Sequence, residues 1–181
     1  EELCDDGLDN DCDDEIDEDC VVLYECGYGI ASWDSDFEQA NYLRGNYYEA
    51  DSAGVLDSFD MGMDADGVDL GFFVYSATSD SGADLTLEWS MEQLDVSSTG
   101  GYVNSGPIGL DIEAGKLYVL VVGWEGTVTT AMEYGLTGES VGWGTSRGWA
   151  SDNSYSFSGY DGDMGWSPTG TYEQVVYSES E

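Results

Sequence analysis

The sequence predicts an all-β fold, an antiparallel two-sheet sandwich of jelly-roll kind. Three observations carry that expectation. From Val21 onward, short runs of β-branched and aromatic residues alternate with clusters of Gly, Ser, Asp and Asn. Helical periodicity is almost absent. Only Pro107 and Pro168 occur, which suits long uninterrupted ladders.

In chain order, the expected strands are 21–24, 29–33, 46–50, 54–61, 69–75, 84–90, 102–112, 116–124, 127–134, 140–144, 154–159 and 172–177. Their spacing of roughly 8–12 residues is that of a sandwich. In Leu85-Thr86-Leu87-Glu88-Trp89 the odd positions are apolar, the pattern of a strand with one wet face. Leu117 to Val122 is a continuous apolar run and reads as a central strand. Trp124-Glu125-Gly126-Thr127 reads as a hairpin turn joining it to the next strand. Residues 36–43 read as a turn. Residues 145–171, rich in Gly, Ser, Tyr and Trp, fit long loops or flat strands.

Composition bounds the function. The chain has 181 residues, 39 Asp+Glu against 3 Lys+Arg, a formal net charge of -36 and no histidine. No basic patch exists to meet phosphates, so nucleic acid is not an expected partner. Anionic membrane surfaces are equally disfavoured, and no apolar run approaches the ~20 residues of a membrane span. Without histidine, Ser–His and Cys–His catalytic pairs and His-ligated metals are excluded. Yet 41% of residues are hydrophobic and 13% aromatic, enough for a sizeable core. The ligands that suit such a chain are hard cations.

Composition shifts near Cys20 and divides the chain into an acidic, Cys-rich segment, 1–26, and a β-sandwich domain, 27–181. Twelve of the first twenty residues are Asp or Glu, and only Leu3, Leu8 and Ile16 are apolar. Such a segment buries no core and repels itself without counter-cations. Cys4, Cys12, Cys20 and Cys26 lack the short knuckle spacing of zinc ribbons, so two disulfides are expected over a thiolate metal site. Three pairings remain open, of which the sequential one closes the shortest loops. Disulfides place the chain outside the cell or on its surface. The start at Glu1 without Met reads as a processed or excised form.

Asp9, Asp11 and Asp13 alternate, so their carboxylates point to one side of a tight loop and converge on one cation. Ile16 anchors the loop, and Asp17 and Glu18 close it. With the backbone carbonyl of Glu15 at the seventh position, this is the ligand layout of an EF-hand-like calcium loop. The stretch from Glu2 to Glu18, with Cys4-Asp5-Asp6-Gly7 and Asp9-Asn10-Asp11-Cys12-Asp13-Asp14-Glu15, resembles the repeated CDGxDNDCDGxxDE metal-binding motif. That motif belongs to secreted and surface proteins of myxobacteria and related bacteria. An extra acid stands before Gly7, and Asp14 replaces the usual glycine. The likeness covers about a tenth of the chain and implies calcium as the ligand. The body, roughly 46–134, resembles pre-peptidase C-terminal-like β-sandwich modules. Gly45-Asn46-Tyr47-Tyr48, the strand around Phe72 and Phe73, and Leu110-Asp111-Ile112-Glu113-Ala114-Gly115-Lys116-Leu117-Tyr118 carry this likeness. It implies a fold and an accessory role rather than chemistry.

Other constellations are weaker. Asp64, Asp66 and Asp69, with Asp60 as a fourth candidate, form a second acid cluster that suits either a second calcium or an Asp-Gly turn. Asp34 with Asp36, and Asp161 with Asp163, read as loop acids. Gly144-Thr145-Ser146-Arg147-Gly148 matches the letters of a nucleophile elbow without its strand–turn–helix context. Asp80-Ser81-Gly82 matches an aspartic-protease triplet in letters only. Trp124, Trp143, Trp149, Tyr155, Tyr160 and Trp166 fill a core, an interface or a sugar platform, in that order of expectation. The sequence thus points to a non-enzymatic, calcium-binding, extracellular structural module. It is expected to assemble with copies of itself into a fibre or layer, glycan binding being the rival reading.

Overall fold

The computed structural model describes residues 35–79, 84–134, 138, 140–153, 155 and 164–180. Among them are eleven strands and no helix, and every ladder is antiparallel. The strands are β1 (Ser35–Ala40), β2 (Leu43–Ala50), β3 (Gly54–Ala77), β4 (Thr86–Asn104), β5 (Leu110–Ile112), β6 (Leu117–Trp124), β7 (Thr127–Tyr134), β8 (Gly144–Asp152), β9 (Gly165–Ser167), β10 (Gly170–Tyr172) and β11 (Gln174–Ser180). The all-β, antiparallel expectation therefore holds. The expected strands 21–24 and 29–33, and most of 154–159, lie outside the described residues.

The sequence predicts two sheets, but the described strands join one hydrogen-bonded sheet. Its main path runs β1-β7-β3-β6-β2-β8-β9. The reason lies in β3 and β4, which the sequence breaks at acidic and glycine-rich stretches. The structure carries β3 through 24 residues and β4 through 19. Register shifts at Met63/Ala65, Ala65/Val68 and Val68/Leu70 absorb the acids without ending the ladder. Such bulges bend a strand. The bend is measurable: Phe59 and Phe72, both on β3, have ring centroids 5.7 Å apart. On a straight strand, thirteen residues would separate them by roughly 43 Å. The sheet therefore curls until its two halves face each other.

The concave side holds the main core. It includes Tyr48, Leu56, Phe59, Phe72, Leu120, Trp124, Trp143 and Val176. A second cluster covers the opposite face, with Leu43, Tyr47, Phe73, Tyr75, Val119, Val121, Tyr155 and Met164. β6 feeds both: Leu120 and Val122 point inward, Val119 and Val121 outward. It pairs with β2 on one edge and β3 on the other, as its apolar run predicts.

Four local expectations change. The turn at Glu125-Gly126 does not close a hairpin, because β6 and β7 do not pair with each other; β7 pairs with β1, β3 and β10. The turn instead runs alongside the bend of β3, where a Cβ on Gly126 would lie 3.4 Å from Val68. Residues 36–43 are the end-on succession of β1 and β2 rather than a turn. Ser140 makes only an isolated bridge to Thr145, and the strand predicted there starts at Gly144 as β8. The alternation Leu85–Trp89 does not define one apolar face. A register shift pairs Trp89 with inward Val74 but Leu87 with outward Tyr75, so Leu87 and Trp89 serve opposite faces.

Candidate functional site

The N-terminal ligands Asp9, Asp11, Asp13, Glu15, Asp17 and Glu18, and the cysteines Cys4, Cys12, Cys20 and Cys26, lie outside the described residues. So do Asp34, Asp80, Ser81, Gly82, Tyr160, Asp161 and Asp163.

The second acid cluster is described, and it occupies the bend of β3. Gly67 takes φ 60°, a left-handed conformation that suits glycine, and Asp95 opposite it on β4 takes φ 55°. Asp69 Oδ1 accepts the backbone N–H of Asp95 at 2.9 Å, and Ser97 Oγ accepts that of Gly67 at 3.0 Å. These bonds fasten the two bulged strands together at the corner. Asp69 is thus engaged in the bend, while Asp64 and Asp66 line a surface pocket of about 390 Å³. Glu38 of β1, Ser97 and Ser98 of β4, and Thr127 and Thr129 of β7 complete its polar lining. The set is rich in hard oxygens. Its carboxylates do not converge, however: among the described residues, no three Asp, Glu, Cys or His side chains group closely enough to hold a metal ion. Asp60 is separate, accepting hydrogen bonds from Asn104 Nδ2 and from the Tyr177 hydroxyl, the latter at 3.0 Å.

A larger open cleft, about 630 Å³, lies over β2, β6 and β8 and is lined by Tyr47, Glu49, Leu117, Ser146, Arg147 and Pro168 among others. Arg147 Nη2 bonds Glu49 there. Ser146 lies buried within strand β8, so the nucleophile-elbow spelling is not accompanied by an elbow. The other two cations are also engaged. Lys116 Nζ meets Glu113 Oε1 at 2.7 Å, and this hydrogen bond holds the amine above its usual range. Arg44 is buried, bonds Gln39 Oε1, and stacks over the Tyr42 ring at 4.3 Å.

The aromatic candidates divide. Trp124, Trp143 and Tyr155 are buried, and Trp166 stacks on Tyr47 at 4.5 Å. Tyr155 lies flat over Gly123, where a Cβ would meet its ring at 2.5 Å. The core reading therefore accounts for Trp124, Trp143 and Tyr155, while half-buried Trp149 and Trp166 pack against the main and outer clusters respectively.

Sequence reasoning missed a buried polar network that joins the two facing halves of the sheet. Asn46 Nδ2 on β2 donates to the Tyr172 carbonyl at 2.7 Å and to Gln174 Oε1 at 3.0 Å. Tyr172 N–H returns a bond to Asn46 Oδ1 at 2.7 Å. The Tyr48 hydroxyl donates to Gln174 Oε1 at 2.8 Å, and Gln174 Nε2 donates to the Leu120 carbonyl at 2.9 Å. No local signal marks these partners, because Asn46 and Gln174 are 128 residues apart.

Among the described residues, no helix is long and apolar enough to cross a membrane. No protein-family model and no curated protein sequence matches the chain.

Proposed function

We infer that the chain is a secreted, calcium-binding structural module of a cell surface, without catalytic activity. One observation supports this reading above others: all three cations of the chain are already engaged locally. Arg44 is held by Gln39 and aromatic rings, while Lys116 and Arg147 each serve one glutamate. Against 39 acidic residues, this leaves the counter-charge to come from solution. Divalent calcium supplies it most effectively where carboxylates alternate, at Asp9, Asp11, Asp13, Asp17 and Glu18 with the Glu15 carbonyl. The bend acids Asp64 and Asp66, with Asp69 near them in the bend, are the second place where counter-cations gather, condensed on the surface rather than chelated. In this reading Cys4, Cys12, Cys20 and Cys26 form two disulfides that staple segment 1–26. The curled sheet behind it works as a jelly-roll-like sandwich.

Calcium would also screen like-charged copies, which a net charge of -36 otherwise keeps apart. Self-association into a fibre or layer then depends on calcium. The test combines metal analysis with light scattering. The wild-type chain should retain calcium after dialysis, and Asp9→Ala with Asp11→Ala should remove at least one ion. Scattering mass should rise on adding millimolar calcium and fall on chelation. Unchanged metal content in the double variant removes the loop assignment. A monomer at every calcium level removes the assembly.

A further inference from the structure

The cleft over β2, β6 and β8 owes its shape to a bulge. Tyr47 pairs with Gly148 and Tyr48 with Ser146, so Arg147 is the extra residue of β8. A bulge re-aims the side chain it carries. Ser146 and Gly148 on either side are buried, whereas Arg147 stands exposed on the cleft wall. Gly148 takes φ 144°, and a Cβ there would lie 2.1 Å from the Ser167 carbonyl oxygen and 2.9 Å from Pro168 Cα. Glycine at this position lets the chain after β9 come close, and that approach brings Pro168 to the cleft.

Charge sets this cleft apart from the rest of the chain. Glu49 and Arg147 are the charged members of its described lining, and they are bonded to each other with side chains 43% and 48% exposed. The wall is therefore neutral in a chain of 39 acids and 3 cations. Lys116, next to the lining residues Gly115 and Leu117, is matched to Glu113 in the same way. An anionic ligand meets the field of a chain with net charge -36, and the cations on this side are already matched. A simple cation is better served by carboxylates that are not tied to a guanidinium. A neutral, hydroxyl-rich ligand is indifferent to net charge. It needs donors and acceptors side by side, which a guanidinium fork and its carboxylate offer. Leu117 and Pro168 add apolar surface for the C–H faces of such a ligand. The volume, about 630 Å³, falls within the roughly 300–1,000 Å³ typical of small-molecule sites.

We propose that this cleft binds a neutral saccharide, with Arg147 donating to its hydroxyl oxygens and Glu49 accepting from its hydroxyls. The bond between the two side chains holds both planar groups in place before the ligand arrives, so less ordering is left for the binding step. The site takes no part in the calcium reading and goes beyond it.

Amide NMR titration of the full chain in saturating calcium tests this, with the neutral disaccharides cellobiose, maltose, lactose and chitobiose as probes. At least one should bind with a millimolar Kd or tighter and shift the amides of Glu49, Leu117 and residues 145–148. Arg147→Ala and Glu49→Gln should each weaken that binding at least tenfold, because each removes charge-assisted hydrogen bonds. Both side chains are exposed, so unfolding midpoints should stay near the wild-type value. If Arg147→Ala does not fold, Arg147→Lys decides: it keeps the charge without the fork and should also weaken binding. Asp9→Ala with Asp11→Ala should bind the same sugar equally well, which keeps this outcome apart from that of the calcium loop. The proposal is overturned if none of the four sugars shifts those amides, if the shifts lie elsewhere, or if binding survives the substitutions. Tighter binding of digalacturonate, an anion, or of glycine, a zwitterion, would overturn it as well, because either would mean that the pair opens to serve free charges.

Discussion

β6 is hydrogen-bonded on both edges and buries residues 118–124, while β4 pairs with β3 alone among the described residues and leaves Leu87, Met91, Leu94 and Tyr102 exposed. Both strands are rich in apolar β-formers. They differ in how acids are interleaved. β6 has none between Leu117 and Trp124, so both of its faces demand cover and it settles in the middle of the sheet. β4 carries Glu88, Glu92 and Asp95 among its apolar residues, acids that suit side chains facing water. A strand's place in the sheet therefore follows from whether any part of it tolerates solvent, more than from its total hydrophobicity.

The largest expected effect tests that contrast directly. Leu120 on β6 is fully buried, whereas Leu94 on β4 is 66% exposed. Leu120→Ala should lower unfolding stability by about 2–5 kcal/mol. Leu94→Ala should change it by less than about 0.5 kcal/mol. Urea unfolding of the two variants reads the difference, and comparable losses would erase the distinction between the strands.

β6 is also held from across the core. Gln174 Nε2 donates to the Leu120 carbonyl, and Gln174 Oε1 accepts from Asn46 and Tyr48. Gln174→Ala strands these buried groups and leaves a void, so it should cost about 2–3 kcal/mol. Gln93 on β4 is the control. Its amide bonds the Asn104 carbonyl at 2.7 Å in an exposed setting, so Gln93→Ala should cost about 0.5 kcal/mol or less. A network effect confined to the facing halves of the sheet would be lost if both changes had equal cost.

A pH scan sharpens the contrast further. Tyr75 of β3 lies in the outer cluster beside β6, and burial pushes its phenol up to about 12. Burial raises Tyr155 as well, aided by Glu125, Glu92 and Tyr75. A raised acid pKa means that the fold favours the neutral phenol. That contribution is complete below the unfolded value near 10 and is lost as pH rises toward 12. Stability should therefore fall between pH 10 and 12, and Tyr75→Phe should flatten the fall. An unchanged slope in Tyr75→Phe would show that its phenol is solvated.

The contrast between β6 and β4 also marks what the sequence makes legible. β6 is readable because a long apolar run has one comfortable place. The all-β class is readable because Gly and Asp clusters punctuate β-branched runs. The joining of 54–61 with 69–75 is not readable. Asp64, Asp66 and Gly67 look like strand-ending residues, and only the bulged pairing with β4 shows that the ladder continues. The false hairpin at Glu125-Gly126 has a related cause, since turn chemistry is local while the choice of β3 over a neighbour is not. At the candidate site, the Asp64–Asp69 cluster was legible as either a cation site or a turn. The structure places Asp69 in the bend and leaves Asp64 and Asp66 on a pocket wall.

The smallest expected effect concerns that bend, which carries β4 from one half of the sheet to the other. Gly67 sits at φ 60°, where an L-residue crowds its own backbone. A Cβ there would lie 3.2 Å from Asp95 Oδ1, tight but relieved by rotating an exposed carboxylate. Packing therefore adds little, and the cost of Gly67→Ala is conformational, about 1 kcal/mol. Gly67→Asn should cost less, because asparagine tolerates the left-handed region better. Gly62 is the comparison within β3. Its Cβ would meet the buried Glu173 carboxylate at 2.9 Å, so Gly62→Ala acts by crowding, and asparagine there should be worse than alanine. Unfolding midpoints of the four variants give two orders of damage, Ala above Asn at position 67 and Asn above Ala at position 62. Asn above Ala at position 67 as well would mean that the bend is not set by the handedness of Gly67, and the curl would then have to arise from the bulges in β4 alone.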